Sequence, residues 1–220
     1  MIQKVVFEKQ RQRAPSKRAL QSRERILDAA ERVFARKGFD GATIREIAAE
    51  AGTQVGLVHH HGGGKATLFA RTVERRAAEL SDLRLGMLDR RKAAGPVDLS
   101  DILECFFAPY LQRAAEGEPQ WLAYARLVAH VSADPRWHSI AVEFFDPTAN
   151  RFIDEIGNLF PKASRGAIAS GFVYSVSAML ALLTSEWRIE ALGEDPVAPD
   201  ARLQTLVSFC AAGIAASLAQ

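Results

Sequence analysis

Residues 57–65 read LVHHHGGGK and hold three of the chain's five histidines. Imidazoles bind metals, and glycines ahead of a lysine can cradle phosphate, so both chemistries are tested first. Successive helical residues point ~100° apart, so His59, His60 and His61 cannot converge on one ion. Zinc sites on helices use two histidines at i and i+4 instead. A phosphate loop G-x-x-x-x-G-K-[ST] ending in Gly64 and Lys65 would need Gly at 59 and Ser or Thr at 66. The chain has His59 and Ala66. No metal and no cofactor are expected. There is no G-x-S-x-G elbow, and His130 and His138 stand in no recognisable catalytic set with the acids. An enzyme is not expected either.

A second group could bind a ligand. Arg126 and His130 lie at i and i+4 on a mostly apolar segment, so they share a face. They could hold the carboxylate or phosphate of an apolar ligand, or pair with an acid such as Glu104 or Glu143. The rear half is rich in aromatics, and Phe106, Tyr110, Trp121, Phe145, Phe172 and Trp187 are candidates to line a cavity.

Charge separates the two halves. Residues 1–92 hold 20 Lys/Arg against 11 Asp/Glu, and residues 93–220 hold 8 against 15. A basic front half suits a polyanion. No uninterrupted apolar run reaches ~18 residues, so no membrane span is expected, and no apolar core of a secretory signal follows the early basic residues. Cys105 and Cys210 sit in apolar surroundings, as free thiols of a reducing cytoplasm would.

The elements follow from periodicity. Residues 1–20 are basic, carry Pro15 and show no helical stripe; they read as a flexible arm that could add phosphate contacts or reach a minor groove. In SRERILDAAERVFARKGF, Ser22 is a plausible N-cap, Ile26, Ala29, Ala30, Val33 and Phe34 share one face, and Gly38 is the stop. Thr43 and Glu46 form a T-x-x-E capping box on a second, short helix that Gly52 ends. A third runs from about Gln54 to His61. Two short helices joined by a Gly-containing turn make a helix-turn-helix, whose second helix can enter the major groove of double-stranded DNA.

These residues, from Ser22 to Phe69, resemble the DNA-binding domain of the tetracycline-repressor (TetR) family. The resemblance rests on RERILDAAERVFARKGFDGATIREIAAEAG, on Gly56 early in the next helix, and on Lys65 and Leu68. It implies a homodimeric regulator, usually a repressor released from its operator by a small ligand. It places Gln54, Val55, Leu57 and His59 against the groove, and Arg45 at a position that often contacts DNA. Gly56 lets the backbone approach the duplex. His60 and His61 extend the exposed end of the reading helix, where imidazoles can donate to phosphate. Thr43 and Lys65 lie at helix N-termini, which favour phosphate. One position departs from the family: Gly62 stands where a large aromatic normally plugs the seam between the DNA-binding helices. Three glycines in a row are expected to fray the third helix and loosen its joint. A helical dimer that has lost DNA binding is the alternative this departure raises.

Beyond Lys65 every periodic segment reads as helix. The expected architecture is all-α: a basic arm (1–20), a helix-turn-helix domain (21–68) and a helical ligand-binding and dimerisation domain (69–220). The fourth helix carries Phe69, Val73, Arg76, Leu80, Leu83 and Met87 in one stripe. A helix from 164 to about 191 has a bulky stripe and a small one (Ala167, Gly171, Ser175, Ala178), and with the Ala-rich last helix suggests a four-helix dimer interface. The rear segment also resembles members that answer to fatty acids or acyl thioesters, so a small lipophilic acyl effector is expected.

Overall fold

A computed structural model describes residues 16–116, 119–193 and 198–219, and among them there is no strand. The first helix, α1 (Lys17–Gly41), is capped by Ser16, whose side chain accepts the Ala19 N–H. Ser22 is therefore buried inside the helix rather than capping it, and Lys17–Leu20 are helical; the arm before Ser16 lies outside the described residues. Gly38 breaks α1 at φ +67°, a left-handed conformation that costs glycine no Cβ clash.

The helix-turn-helix follows as expected. Thr43 caps α2 (Ile44–Glu50), and both bonds of its box with Glu46 are present. Gly52, at φ +60°, turns the chain into α3 (Val55–Gly62), with Gln54 at the N-cap. The two short helices are held from below by apolar contact: Ile47, Ala48 and Val58 are buried with Ile26, Ala30 and Phe34 of α1 in one core. They are held from outside by charge, with Arg32 and Arg36 of α1 both on Glu50 at 2.8 Å and Lys37 on Glu46.

The fourth helix, α4 (Lys65–Ala94), has 30 residues and spans about 45 Å at 1.5 Å per residue. Around it stand α5 (Leu99–Ala115), which runs through Pro109, and α6 (Pro119–Ala133). A 3-10 turn (Pro135–Trp137), α7 (His138–Phe144) and α8 (Asp146–Leu159) come next. The segment expected as one helix from 164 to 191 is two: α9 (Arg165–Thr184) ends at Ser185, and α10 (Glu186–Gly193) restarts. The last helix is α11 (Pro199–Leu218).

Of the small stripe of α9, Gly171 and Ser175 are buried within the subunit, Ala178 is half-buried and Ala167 is exposed. A Cβ on Gly171 would lie 3.0 Å from Ile214 Cγ1 of α11, so the glycine sets the distance between the two helices. The bulky residues Ile168, Phe172 and Met179 turn into the core. What remains outward on the two helices is also apolar: Val173, Tyr174 and Phe209 are 56%, 73% and 71% exposed. By length and composition alone α9 and α11 could cross a membrane, yet each has a face in the protein core. Both cysteines are free and buried, as expected.

The head is not a bead on a string. One continuous core runs from Ile26 to Ile214. The 3-10 turn reaches the head directly: the Trp137 ring lies 4.6 Å from Phe39 of α1, and as far from Phe69 in the first turns of α4. Beside it Arg136 forks onto Asp40 at 2.8 and 3.2 Å.

Candidate nucleic-acid interface and ligand cavity

On α3, Val58 is buried and Leu57 half-buried, which fixes the helix with its opposite side outward. That outward side carries Gln54, Val55, Gly56, His59 and His60. Gln54 makes no side-chain cap bond, so its amide is available, and nothing lies within 4 Å of a Cβ built on Gly56. Arg45 is exposed on α2, with no protein acid within ion-pair reach among the described residues. Of the two apolar side chains expected in the groove, Val55 is 38% exposed while Leu57 packs inward.

Other expected contacts are partly engaged. The Thr43 hydroxyl is used by its box, accepting the Glu46 N–H and donating to Glu46 Oε2 at 2.9 Å. Lys65 turns back rather than out: Nζ donates to the Asp40 carbonyl at 3.3 Å and sits 4.6 Å over the Phe39 ring. His59 Nδ1 is 3.3 Å from the Gly63 carbonyl. His61 is half-buried, its carbonyl accepts from Arg71 Nη1, and its own pKa is lowered by burial, then by His60 and Arg23. His60 and His61 stack edge-on at 5.0 Å.

Gly62 is not a hole. It is buried, and a Cβ there would meet Leu68 Cδ1 at 2.9 Å. Leu68, which is fully buried, packs directly against it. Gly63 supplies the turn at φ +74°, with its N–H on the His59 carbonyl at 2.9 Å. The helix α3 thus runs through Gly62, with Gly62 and Gly63 packed closely at the corner and Gly64 open.

The rear domain encloses a cavity of about 420 Å³, within the usual range for small-molecule sites. Residues of α4, α5, α6, α7, α8 and α9 line it. Among the expected residues, Phe106, Tyr110, Phe145 and Phe172 are in its wall. Four others are not. Trp121 is buried but packs between Tyr110, Tyr124 and Arg76. Arg126 and His130 are exposed, because with Leu122 they form the solvent stripe of α6. Trp187 is 66% exposed on α10, carried off the core by the break at Ser185.

The cation that the cavity does contain is Arg84. Its Nε donates to the Phe106 carbonyl at 2.8 Å, its Nη2 reaches Met179 Sδ at 3.7 Å, and its plane lies 3.6 Å over the Phe106 ring. Sequence reasoning missed it, although the signal was there. Val73, Ala77, Leu80 and Leu88 are the buried line of α4, and Arg84 is the charged member of that line.

Comparison with known proteins agrees with this layout. Residues 104–213 match the model for the tetracyclin repressor-like C-terminal domain, and residues 26–72 that of the bacterial regulatory proteins of the tetR family. The HTH-type transcriptional repressor AcnR of Corynebacterium glutamicum is 37% identical over 62 residues, 28% of this chain and 33% of that protein. HTH-type transcriptional repressor SCO4008 of Streptomyces coelicolor is 40% identical over 60 residues, 27% and 31% of the two chains. The alignments thus span about a third of these curated relatives. The fold is also that of a TetR-like regulator from Rhodococcus sp. RHA1 (TM-score 0.60, 20% identity, 92% and 99% of the two chains). It is shared with the fatty acid degradation regulator FadR of Bacillus halodurans (TM-score 0.61, 13% identity, 90% and 96%). Head and rear domain alike place the chain in the tetracycline-repressor family of transcriptional regulators, and it belongs to that family.

Proposed function

We propose that the chain is a cytoplasmic, ligand-responsive repressor that binds a pseudo-palindromic operator as a homodimer. The observation that carries this reading is the outward face of α3, where Gln54, Val55, Gly56, His59 and His60 stand exposed together. Side chains of this kind read base edges and thymine methyls, while Arg45 and the histidines supply phosphate contacts. The exposed apolar faces of α9 and α11 support the dimer: Tyr174 and Phe209 in water are costly, and pairing two copies would bury them. Such a dimer presents two α3 helices about one DNA turn apart, ~34–36 Å.

The cavity supports control by a ligand. Ala77, Leu80, Ser81 and Arg84 of its wall belong to α4, the helix that starts at the corner behind α3. A ligand that prefers one tilt of α4 changes the spacing of the heads. A tenfold preference supplies ~1.4 kcal/mol of coupling. The alternative, a helical dimer without DNA binding, rests on the absent aromatic at Gly62; the close contact of Gly62 with Leu68 supports a packed joint there.

Footprinting of purified protein on the DNA upstream of its own gene, with and without extracted metabolites, tests the reading. A protected inverted repeat that metabolites release is expected. Binding no tighter than to random duplex would leave the alternative standing.

A further inference from the structure

Arg84 is a charge without a counter-charge. Arg84 is half-buried and lines the cavity. No carboxylate of the described residues lies within ion-pair reach. A guanidinium has five N–H donors. Two are used, on the Phe106 carbonyl and weakly on Met179 Sδ; the other three have no partner among the described residues, and Nη1, which carries two of them, is not fully buried. Burial lowers its pKa to about 10, with partial relief from the phenols of Tyr110 and Tyr124. It therefore stays charged at neutral pH. A buried cation of this kind is costly unless an anion completes it. Its geometry is already set: stacking on Phe106 and the bond to the Phe106 carbonyl hold the plane fixed.

The rest of the cavity says what that anion is attached to. Phe106, Tyr110, Phe172, Met179 and Val176 make the inner wall apolar. Asp146 and Asn150, both exposed, stand at its rim. One exposed carboxylate, Asp146, and among the described residues one cation, Arg84, in the lining suit one negative charge. A phosphate dianion would be half-neutralised, and a bulky polyanionic thioester would meet Asp146 outside.

Taking the cavity as the effector site proposed above, we infer that Arg84 is its anion receptor, and that the effector is a hydrophobic monocarboxylic acid whose carboxylate pairs with the free edge of this guanidinium. The planar fork matches a carboxylate in bidentate fashion. The free acid, rather than an acyl thioester or a cation, is the ligand class. The anion would sit where Arg84 already joins α4 to the Phe106 carbonyl of α5.

Titration calorimetry on the full chain tests this with octanoate, dodecanoate and 2-naphthoate, each against its primary amide. At least one acid is expected to bind about tenfold more tightly than its amide, and Arg84→Gln is expected to remove that preference while leaving amide binding within about twofold. Acid and amide binding alike to the wild type, an undiminished preference in R84Q, or no binding of any acid up to about 1 mM would each overturn the inference. Should R84Q fail to fold, Arg84→Met, which keeps the apolar stem, decides by the same comparison. The operator footprint is read separately. Its absence would sink the regulator reading and leave the carboxylate preference intact; the reverse pattern would sink only the ligand class.

Discussion

A Cβ built on Gly62 lies 2.9 Å from Cδ1 of Leu68, closer than two carbons tolerate. The helices α3 and α4 meet at this pair, glycine on one side and leucine on the other. Gly62→Phe, which would restore the family's usual residue, is therefore expected to destabilise the protein by about 1–3 kcal/mol through overpacking. Leu68→Ala alone should cost about 2–5 kcal/mol. The two together should recover part of the loss, since one vacates the space the other needs. Urea melts of the three variants measure the cycle, and additive penalties would show that the pair does not compete for one volume.

Two carboxylates near α1 titrate in opposite senses. The guanidinium bonds of Arg32, then Arg36, hold Glu50 below the usual carboxylate range. Its folded pKa is depressed, so its stabilisation is present above the unfolded value, about 4.3, and is lost as pH falls through the folded value. Glu31 is different. It is fully buried against Arg75 and Arg76, one of its oxygens has no partner, and burial outweighs the arginines to raise its pKa. A raised acid binds its proton more tightly in the folded state, so stability declines as pH rises from the unfolded to the folded value. Glu50→Gln should flatten the acid limb of a stability–pH curve below about pH 4.3. Glu31→Gln should remove the opposing slope above it. Thermal melts across this range decide; a steeper acid limb in E50Q would refute the assignment.

Trp137 bridges Phe39 and Phe69 from the rear domain. Trp137→Ala should lower stability by about 1–3 kcal/mol, the worth of two aromatic pairs with their buried area. It should also weaken the effect of effector on DNA affinity, because the head then loses one of its holds on the rear domain. Gel-shift titrations with and without effector read this directly. Unchanged coupling in W137A would assign the link to α1 and α4 alone.

Arg45 is exposed, with no acid among the described residues to hold it. Arg45→Ala should weaken binding to all duplexes alike and reduce the salt slope of log affinity by about 1. Gln54→Ala should instead lose about 1–3 kcal/mol of discrimination at one base pair. A sequence-dependent loss in R45A would mean that it reads a base.

The head was largely legible in the sequence because its signals are local. The Thr43–Glu46 box, Gly38 and Gly52 each act over three or four residues, and each appears where its chemistry dictates. Ser22 misled because it too precedes an apolar stripe, while Ser16 precedes a turn with none; that extra turn forms on an existing helix. The break at Ser185 carries no Gly or Pro, so no local signal marks it. Arg126 and His130 looked like a shared face and are one, but the sequence does not say which side of α6 meets the core. Leu122, an apolar residue left 40% exposed on the same line, shows how evenly that helix could have been turned. The α4 stripe was misplaced by one step at Arg76, Leu83 and Met87, and that step hid Arg84.

The cluster of Phe39, Phe69 and Trp137, with Arg136 forked onto Asp40, bears on inheritance as well as on stability. Operator specificity could be traded between relatives only if the exchanged piece arrives with a matching turn. A chimera joined after Phe69 would set a foreign aromatic surface against Trp137 and a foreign residue against Arg136. The natural unit of exchange is thus discontinuous: the front of the chain together with four residues, Asp134 to Trp137, found more than sixty positions beyond that junction.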